Sequence, residues 1–232
     1  MFSAHLDARM SMLSPATEDY LKTIYKLQTQ AEGDAVSTGD IATAMDVSAA
    51  SATNMVKRLA KFELIDYESY KGARLTEAGR KVALEVIRHH RLLELYLKEV
   101  LDYSWEEIHR EAEQLEHHIS ETFESKIEEL LDYPTRDPHG HPIPSREGDV
   151  DRLSTRALAE LDEHTPAIID HLSDDDPALL RLLEERNLLP GVRVEIIERK
   201  PLEGLLTVAL EGNEQLLGEQ VALKVFVRTV EA

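Results

Sequence analysis

Residues 108–119 combine two helical stripes, one apolar and one made of possible metal ligands. The apolar residues recur at intervals of four, three and four positions, which places them on one face of a helix: Ile108, Ala112, Leu115 and Ile119. Beside them, at about 100° per residue, lies a stripe of imidazole and carboxylate side chains: His109, Glu113, Glu116 and His117. Any one of them alone is more often a packed or solvated side chain. Together, at spacings of three and four, they predict a helix that chelates a divalent ion at the edge of a buried interface.

The composition excludes several classes of protein. The sequence contains no cysteine, so it has no disulfides, thiolate metal sites or thiol catalysis. No basic start precedes an apolar block, and no apolar run approaches the roughly 18 residues of a membrane span. We therefore expect a soluble, cytoplasmic protein without a membrane partner. Its 232 residues suffice for two or three small domains.

The acidic charge is concentrated in the second part of the chain. The formal net charge is −19, yet residues 1–83 hold 10 basic and 11 acidic residues, against 16 and 34 in residues 84–232. Residues 48–61 contain bases and no acid. This asymmetry indicates a domain boundary and leaves the first part able to bind a polyanion.

The first part has the pattern of a winged helix-turn-helix. Ser14-Pro15 begins a first helix, Thr38 caps a short helix through Met45, and Ser48 caps a second helix with an apolar face. Residues 64–67 and 73–75, joined by a Lys-Gly turn, predict a two-stranded wing. An ordinary helical hairpin is the alternative. On the second helix, small polar residues would face base edges and bases would face phosphates: Ser48, Ala50, Ser51 and Asn54, then Lys57 and Arg58.

The middle of the chain predicts two long amphipathic helices. One runs from Thr76 to about residue 101 and carries His90 and Glu94 four positions apart; the next opens with a capping box at Ser104 and continues to about residue 131. Their apolar surface exceeds what one small domain covers and suggests a dimer interface. The proline-rich connector 132–148 contains His139 and His141, for which a turn role is favoured over metal binding.

The last part changes to short strands. Residues 167–172, 192–198, 205–210 and 225–230 predict strands, with a helix capped by Asp176-Pro177 and a short helical turn at 219–224. Such a pattern is typical of a small barrel. Enzyme signatures are absent: there is no phosphate-binding glycine loop, nucleophile elbow or His-Glu-x-x-His motif, so we expect no enzyme.

The chain resembles the diphtheria-toxin-repressor-like family of iron- or manganese-dependent repressors over nearly its whole length. The resemblance rests on Ala16-Thr-Glu-Asp-Tyr-Leu-Lys-Thr-Ile-Tyr25, Val47-Ser-Ala-Ala-Ser, Leu75-Thr-Glu-Ala-Gly-Arg80, His89-His-Arg-Leu-Leu-Glu94, residues 109–118 and Asp137-Pro-His-Gly-His-Pro-Ile-Pro144. It implies a mainly α protein with small β parts. The implied domains are a winged helix-turn-helix at 1–80, a helical metal-binding and dimerisation domain at 81–148, and an SH3-like, FeoA-like barrel at 149–232.

The resemblance also implies two metal sites. The regulatory site would consist of Asp19, Glu113, Glu116 and His117. The ancillary site would consist of His90, Glu94 and His109, completed from the barrel by His171 or Asp174. Lys22 stands where manganese-type members with two adjacent ions carry a second carboxylate, which argues against a close two-ion cluster at the regulatory site.

The implied function is repression in which manganese(II) or iron(II) is corepressor and not catalyst. The metal would order a homodimer for a palindromic double-stranded operator of metal-homeostasis genes, and other divalent transition metals would bind in vitro. From the residues alone, two alternatives stay open. One is a metal-independent winged-helix regulator, which metal titration would distinguish; the other is a helical di-metal protein, which DNA binding would distinguish.

Overall fold

The computed structural model describes residues 13–31, 35–174 and 176–230. They divide into two compact units: the described residues up to 89 with 144–149, and residues 90–143 with the described residues from 150 onward. The domain bounds inferred from the sequence stay a prediction. Among the described residues, no helix is long and apolar enough to cross a membrane.

The first unit has the order of elements expected for a winged helix-turn-helix. Its elements are α1 (Pro15–Gln30), α2 (Thr38–Ala44), α3 (Ala49–Lys61), β1 (Ile65–Glu68), β2 (Gly72–Leu75) and the start of α4 (Glu77–Glu99). Pro15 begins α1 as predicted, and the Ser48 side chain accepts a hydrogen bond from the Ser51 amide to cap α3. The cap of α2 is Ser37 and not Thr38, because the Ser37 hydroxyl accepts the Asp40 amide.

The turn from the wing into α4 depends on Gly79. A Cβ there would lie 1.9 Å from the carbonyl oxygen of Leu64, so only glycine allows the helix to approach β1 this closely. The two wing strands pair in antiparallel register from Ile65 with Leu75 to Glu68 with Gly72. A buried core lies behind the helices and the wing, with Leu21, Ile24, Ile41, Val56 and Leu59 among its members.

The second predicted long helix is wrong, because the structure has two shorter helices in its place. These are α5 (Trp105–Leu115) and α6 (Glu121–Leu130). The chain leaves helical geometry after Glu116, and Ser120 opens α6 by accepting the amide hydrogen of Phe123. A serine that caps a new helix competes with continuation of the old one. The ligand stripe therefore spans a helix end: His109 and Glu113 lie on α5, Glu116 at its C-cap and His117 beyond it.

The C-terminal part is an open sheet and not the closed barrel expected from the sequence. Its elements are β3 (Ala167–Leu172), α7 (Pro177–Glu185), β4 (Arg193–Lys200), β5 (Leu205–Leu210), β6 (Asn213–Gly218), α8 (Glu219–Ala222) and β7 (Val225–Thr229). The antiparallel order β6-β5-β4-β3-β7 leaves β6 and β7 as the two edges. Short strands with turn residues fit an open sheet and a barrel equally well, so sequence alone does not decide closure.

Trp105, the single tryptophan, connects the helical part of the second unit with the sheet. Its side chain is buried in the core formed by β3, β4, β5, α7 and β7. Lys98 of α4 also pairs with Glu184 of α7 at 2.8 Å. The C-terminal sheet therefore packs against the helices that carry the histidines.

Candidate metal centre

Glu94 on α4 is the centre of a buried cluster of histidines. Its carboxylate has no solvent exposure. The Oε1 atom lies 2.9 Å from His90 Nε2 and 3.1 Å from His109 Nδ1. His90 is one helical turn before Glu94, and His109 comes from α5, so the spacing of four predicted from sequence places the first two groups together. The structure thus brings together all three helical residues expected in the ancillary site.

The same network reaches the residues expected in the regulatory site. Glu116 is buried, and its Oε2 lies 2.5 Å from His90 Nδ1 while its Oε1 lies 3.4 Å from His117 Nε2. Glu113 Oε1 lies 3.8 Å from His109 Nε2. His90, His109 and Glu113 can each offer a ligand atom within 4.8 Å of the other two. The residues assigned to two separate sites are therefore neighbours in one network.

A second group of possible ligands comes from the proline-rich connector. The Asp137 Oδ1 atom accepts amide hydrogen bonds from His139 at 2.8 Å and from His141 at 2.9 Å, which folds the loop into a tight turn. Gly140 has φ +89°, and a Cβ on it would lie 2.3 Å from the carbonyl oxygen of Asp170. Asp137, His139 and His141 offer ligand atoms within 4.8 Å of one another. Both the turn role expected for this loop and a ligand geometry are present.

Several buried polar atoms of this cluster have no hydrogen-bond partner among the residues that the structure describes. They are Glu94 Oε2, Asp137 Oδ2, His139 Nδ1, His139 Nε2 and His141 Nδ1. His139 has no solvent exposure, and its Nδ1 lies 3.6 Å from Glu94 Oε2, too far for a hydrogen bond. Burying such atoms without partners is costly, whereas metal coordination would satisfy them. Imidazole nitrogens with carboxylate oxygens suit divalent transition metals, so the residues present fit a metal ion.

The electrostatics of the cluster keep Glu94 ionised. Burial alone would raise its pKa, but the charge of His90 and the contacts with His109 and His139 outweigh burial and hold the Glu94 pKa well below its usual value. Burial also acts to lower the pKa of His139, yet the Glu94 carboxylate more than compensates and raises it. The Glu94 carboxylate therefore carries a negative charge inside the cluster.

The structure distinguishes the two residues considered for completing the site from the C-terminal part. Asp174 Oδ2 lies 4.0 Å from His141 Nδ1. His171 instead stacks on Phe226, with ring centroids 4.4 Å apart and an interplanar angle of 2°, and its Nδ1 faces Asp170 at 3.3 Å. Burial and the neighbouring His141 lower the His171 pKa to about 4. Asp174 thus lies beside His141, whereas His171 packs against Phe226 and Asp170.

The remaining predicted residues lie in the first unit. Asp19 is half-buried on α1, and Lys22 is buried on the same helix. The side chains expected to meet DNA are exposed at the start and along one face of α3, opposite the buried Ala52, Val56 and Leu59; they are Ser48, Ala50, Ser51, Asn54, Lys57 and Arg58. The helix therefore separates a core face from an exposed face, and the contact of these side chains with DNA stays a prediction.

Three family models match successive parts of the chain: the N-terminal DNA-binding domain of iron-dependent repressors at residues 12–73, their metal-binding and dimerisation domain at 76–145, and the FeoA domain at 156–229. The iron-dependent repressor IdeR of Mycobacterium bovis is 32% identical over 220 residues, which cover 89% of this chain and 94% of that protein. The chain belongs to the iron-dependent repressor family.

The proteins similar to this chain also include a repressor described as manganese-dependent. The regulator MntR of Geobacillus kaustophilus is 39% identical over 122 residues, covering 53% of this chain and 84% of that protein. A solved structure described as a manganese-dependent transcriptional repressor in complex with manganese is 35% identical, covers 92% of this chain and 100% of its own, and has a TM-score of 0.84. Because repressors described as iron-dependent and as manganese-dependent are both similar to this chain, the similarity alone does not identify its metal. The chemistry of the ligand residues must decide it.

Sequence reasoning does not include Asp137 among the expected ligands of this member of the iron-dependent repressor family. It favours a turn role over metal binding for His139 and His141. The available signal is the alternation Asp-x-His-x-His, which places three donors on one side of an extended turn. This signal is easily missed, because the prolines of the connector already account for a turn without any metal ligand. The missing information is the burial of this loop beside Glu94, which depends on packing between distant segments.

Proposed function

We propose that this protein is a divalent-metal-dependent transcriptional repressor in which manganese(II) or iron(II) acts as corepressor. The metal-loaded homodimer binds a palindromic operator of metal-homeostasis genes. The observation that carries the proposal is the fully buried Glu94 carboxylate beside His139, whose ring nitrogens have no hydrogen-bond partner among the described residues, in a chain matched over 89% of its length by an iron-dependent repressor. No catalytic role is assigned to these residues.

The proposed regulatory site consists of Asp19, Glu113, Glu116 and His117. Its support is the resemblance to the family together with the proximity of Glu116 and His117. The proposed ancillary site consists of His90, Glu94 and His109, with Asp174 favoured over His171 as the residue that completes it. His139 and His141 join this second site because their ring nitrogens face Glu94 and Asp174.

A bound divalent ion supplies positive charge that lets several carboxylates stay close together. Without that charge, Asp19, Glu113 and Glu116 repel one another. We expect this repulsion to leave the DNA-binding domain free to change its orientation relative to the dimerisation helices. Neutralising the carboxylates would fix one orientation, so that both recognition helices of a dimer reach successive major grooves at the same time.

The proposed DNA interface is the exposed face of α3. Ser48, Ala50, Ser51 and Asn54 are small enough to let the helix approach base edges closely, and they include hydroxyl and amide groups that can hydrogen-bond there. Lys57 and Arg58 lie farther along the helix, where they would reach phosphates and contribute salt-dependent affinity. Specificity and general affinity would thus come from different residues of one helix.

Manganese(II) is favoured as the physiological ion of the regulatory site. Asp19, Glu113 and Glu116 provide hard oxygen ligands with one imidazole from His117, and no thiolate is available in a chain without cysteine. Zinc, nickel and cobalt should bind at least as tightly by the Irving–Williams order, so activation of DNA binding, and not affinity for the metal, distinguishes the ions. The buried ammonium of Lys22 argues against a second ion beside Asp19.

Operator selection tests this function directly. Purified protein is mixed with a random DNA library in manganese(II), iron(II) under anaerobic conditions, zinc(II) or chelator, and the bound sequences are determined. We expect a palindromic sequence to be enriched in manganese or iron(II) and lost with chelator. Enrichment of the same sequence with chelator would contradict the role of metal as corepressor.

A further inference from the structure

The two oxygens of the Glu94 carboxylate face two different groups of ligands. Oε1 lies near His90 and His109 at 2.9 and 3.1 Å, whereas Oε2 faces His139 at 3.6 Å. A carboxylate can bind one cation through each oxygen. Glu94 therefore lies between two sets of imidazoles, where its carboxylate could bind one ion through each oxygen and so bridge them.

Each side of Glu94 has enough donors for an ion of its own. On one side, the ligand atoms of His90, His109 and Glu113 lie within 4.8 Å of one another; on the other, those of Asp137, His139 and His141 do the same. Together with Glu94, the two groups contain seven possible ligand residues. This is more than the roughly six coordination positions of an octahedral ion. One ion cannot use both groups in full.

The connector side has independent evidence for a ligand. His139 has no solvent exposure, and neither of its ring nitrogens has a hydrogen-bond partner among the described residues. Asp137 Oδ2 is similarly buried without a hydrogen bond among the described residues, although His141 Nδ1 lies 3.4 Å and Arg91 Nε 3.6 Å away. Because Trp105 covers one edge of the His139 ring at a centroid distance of 5.0 Å, water has little access there. Of these atoms, His139 Nδ1 is the one that lies beside Glu94 Oε2, at 3.6 Å.

We propose that Glu94 bridges two divalent ions. One is held with His90, His109 and the Oε1 atom of Glu113, whose other oxygen stays with the regulatory site; the second is held with Asp137, His139 and His141. The inference rests on the metal sites proposed above and adds a second ion to the ancillary one. Three carboxylates, those of Glu94, Glu113 and Asp137, would balance most of the charge of two divalent cations. Known two-metal centres keep their ions about 3.5–4 Å apart, a separation that one bridging carboxylate spans.

Electron paramagnetic resonance of the wild-type protein with manganese(II) tests the bridge without any substitution. Two manganese(II) ions that share a carboxylate are magnetically coupled, and their hyperfine lines are more closely spaced than those of an isolated ion. We expect this coupled spectrum at full loading. A spectrum of isolated ions only, at a loading where no further manganese binds, would overturn the proposal.

Counting ions in variants identifies the ligands. After equilibrium dialysis against manganese(II), elemental analysis should show that Glu94→Gln loses two ions per protomer relative to wild type. His109→Ala and His139→Asn should each lose one ion and the coupled spectrum. Glu99→Gln, an exposed carboxylate on the same helix, is the matched control and should retain both. Loss of a single ion in Glu94→Gln, with circular dichroism showing a folded protein, would contradict the bridge.

Two further readouts separate this proposal from the repressor function. Trp105 is the single tryptophan and lies against His139, so paramagnetic manganese on the connector side should quench its emission in wild type but not in His139→Asn. DNA binding is measured on the same samples. Metal-dependent DNA binding without a coupled pair would refute the bridge alone, whereas a coupled pair without metal-dependent DNA binding would refute the repressor function alone.

Discussion

Ser51 and Asn54 lie exposed on the first two turns of α3 and are the residues that we expect to read the operator sequence. Their substitution by alanine, together, should reduce discrimination between the operator and unrelated DNA. Removing a hydrogen bond to a base edge costs about 1–3 kcal/mol of discrimination. Binding to unrelated DNA should change little, because neither residue carries charge. Competition binding with operator and scrambled duplexes measures the difference.

Lys57→Ala is the control for that substitution. Lys57 is exposed farther along the same helix, where its ammonium would neutralise a phosphate. Removing that charge should weaken binding to both duplexes and lower the salt slope by about one. If Ser51→Ala with Asn54→Ala leaves base preference intact while Lys57→Ala alters it, the reading residues are misassigned.

The choice of metal is also a property of individual side chains. Replacing Asp19 by Met and Glu113 by Cys exchanges two hard oxygen donors for a thioether and a thiolate, which favour softer ions. We expect activation of DNA binding to shift from manganese(II) toward iron(II) or cobalt(II). A titration of operator binding with each ion measures this shift. If wild type responds to iron(II) and ignores saturating manganese(II) without oxygen, the preference for manganese is wrong.

Among the elements, the connector turn at residues 137–141 is the one whose geometry the metal centre depends on. Gly140 and Gly212 both have φ +89°, so alanine at either position carries a similar backbone strain of about 1–2 kcal/mol. A Cβ at position 140 would also meet the Asp170 carbonyl oxygen at 2.3 Å, whereas none of the described atoms lies within 4 Å of one at position 212. Gly140→Ala should therefore lower both the melting temperature and the manganese bound more than Gly212→Ala does.

Equal melting temperatures and equal metal binding for these two variants would show that the turn tolerates displacement. The hydrogen bonds from the His139 and His141 amides to Asp137 would then not be what positions the ligands. Thermal unfolding with and without manganese(II), together with ion counting, separates strain in the fold from loss of the site.

The helices and strands also show where a single sequence is informative. Local signals predict α1, α3 and α7, because Ser14-Pro15, Ser48 and Asp176-Pro177 are strong helix starts. The break at residues 116–120 escapes prediction because apolar spacing continues across it, and only the Ser120 cap indicates a new helix. The sequence pattern does not predict strand β6, because its residues, Asn213–Gly218, are largely polar and lie on an exposed edge.

Local spacing predicts the candidate site only where its ligands share a helix, and His109 on the next helix is expected there only from the resemblance to the family. His90 and Glu94 are four residues apart on α4, so helical geometry alone places them together. The approach of His139 to Glu94 joins segments 45 positions apart in the sequence, and no local pattern encodes it. The open form of the C-terminal sheet escapes prediction for a similar reason, since edge pairing depends on the relative position of distant strands.

For the whole molecule, the charge distribution sets the conditions for DNA binding. Most of the net charge of −19 belongs to residues 84–232, while α3 carries bases and no acid. Residues 84–232 repel DNA through long-range charge that salt screens. The bases of α3 attract DNA at short range. Correct orientation of the DNA-binding domains should therefore matter more than in a uniformly basic protein.

Raising the salt concentration should weaken operator binding steeply. Each phosphate contact releases a counterion, so the logarithm of the binding constant should fall linearly with the logarithm of salt concentration, by about 0.9 per neutralised phosphate. Fluorescence anisotropy of a labelled operator in saturating manganese(II) gives this slope. Binding that does not change with salt would contradict an interface that includes Lys57 and Arg58.

Affinity for the selected operator, measured by fluorescence anisotropy at one salt concentration with saturating manganese(II), with anaerobic iron(II) and with chelator, tests the central claim most directly. If metal is the corepressor, at least one of the two ions tightens binding of the dimer by more than about tenfold over chelator, a typical allosteric coupling. Returning chelator to the loaded sample reverses the gain. Equal affinity in all three conditions would contradict a metal-dependent repressor.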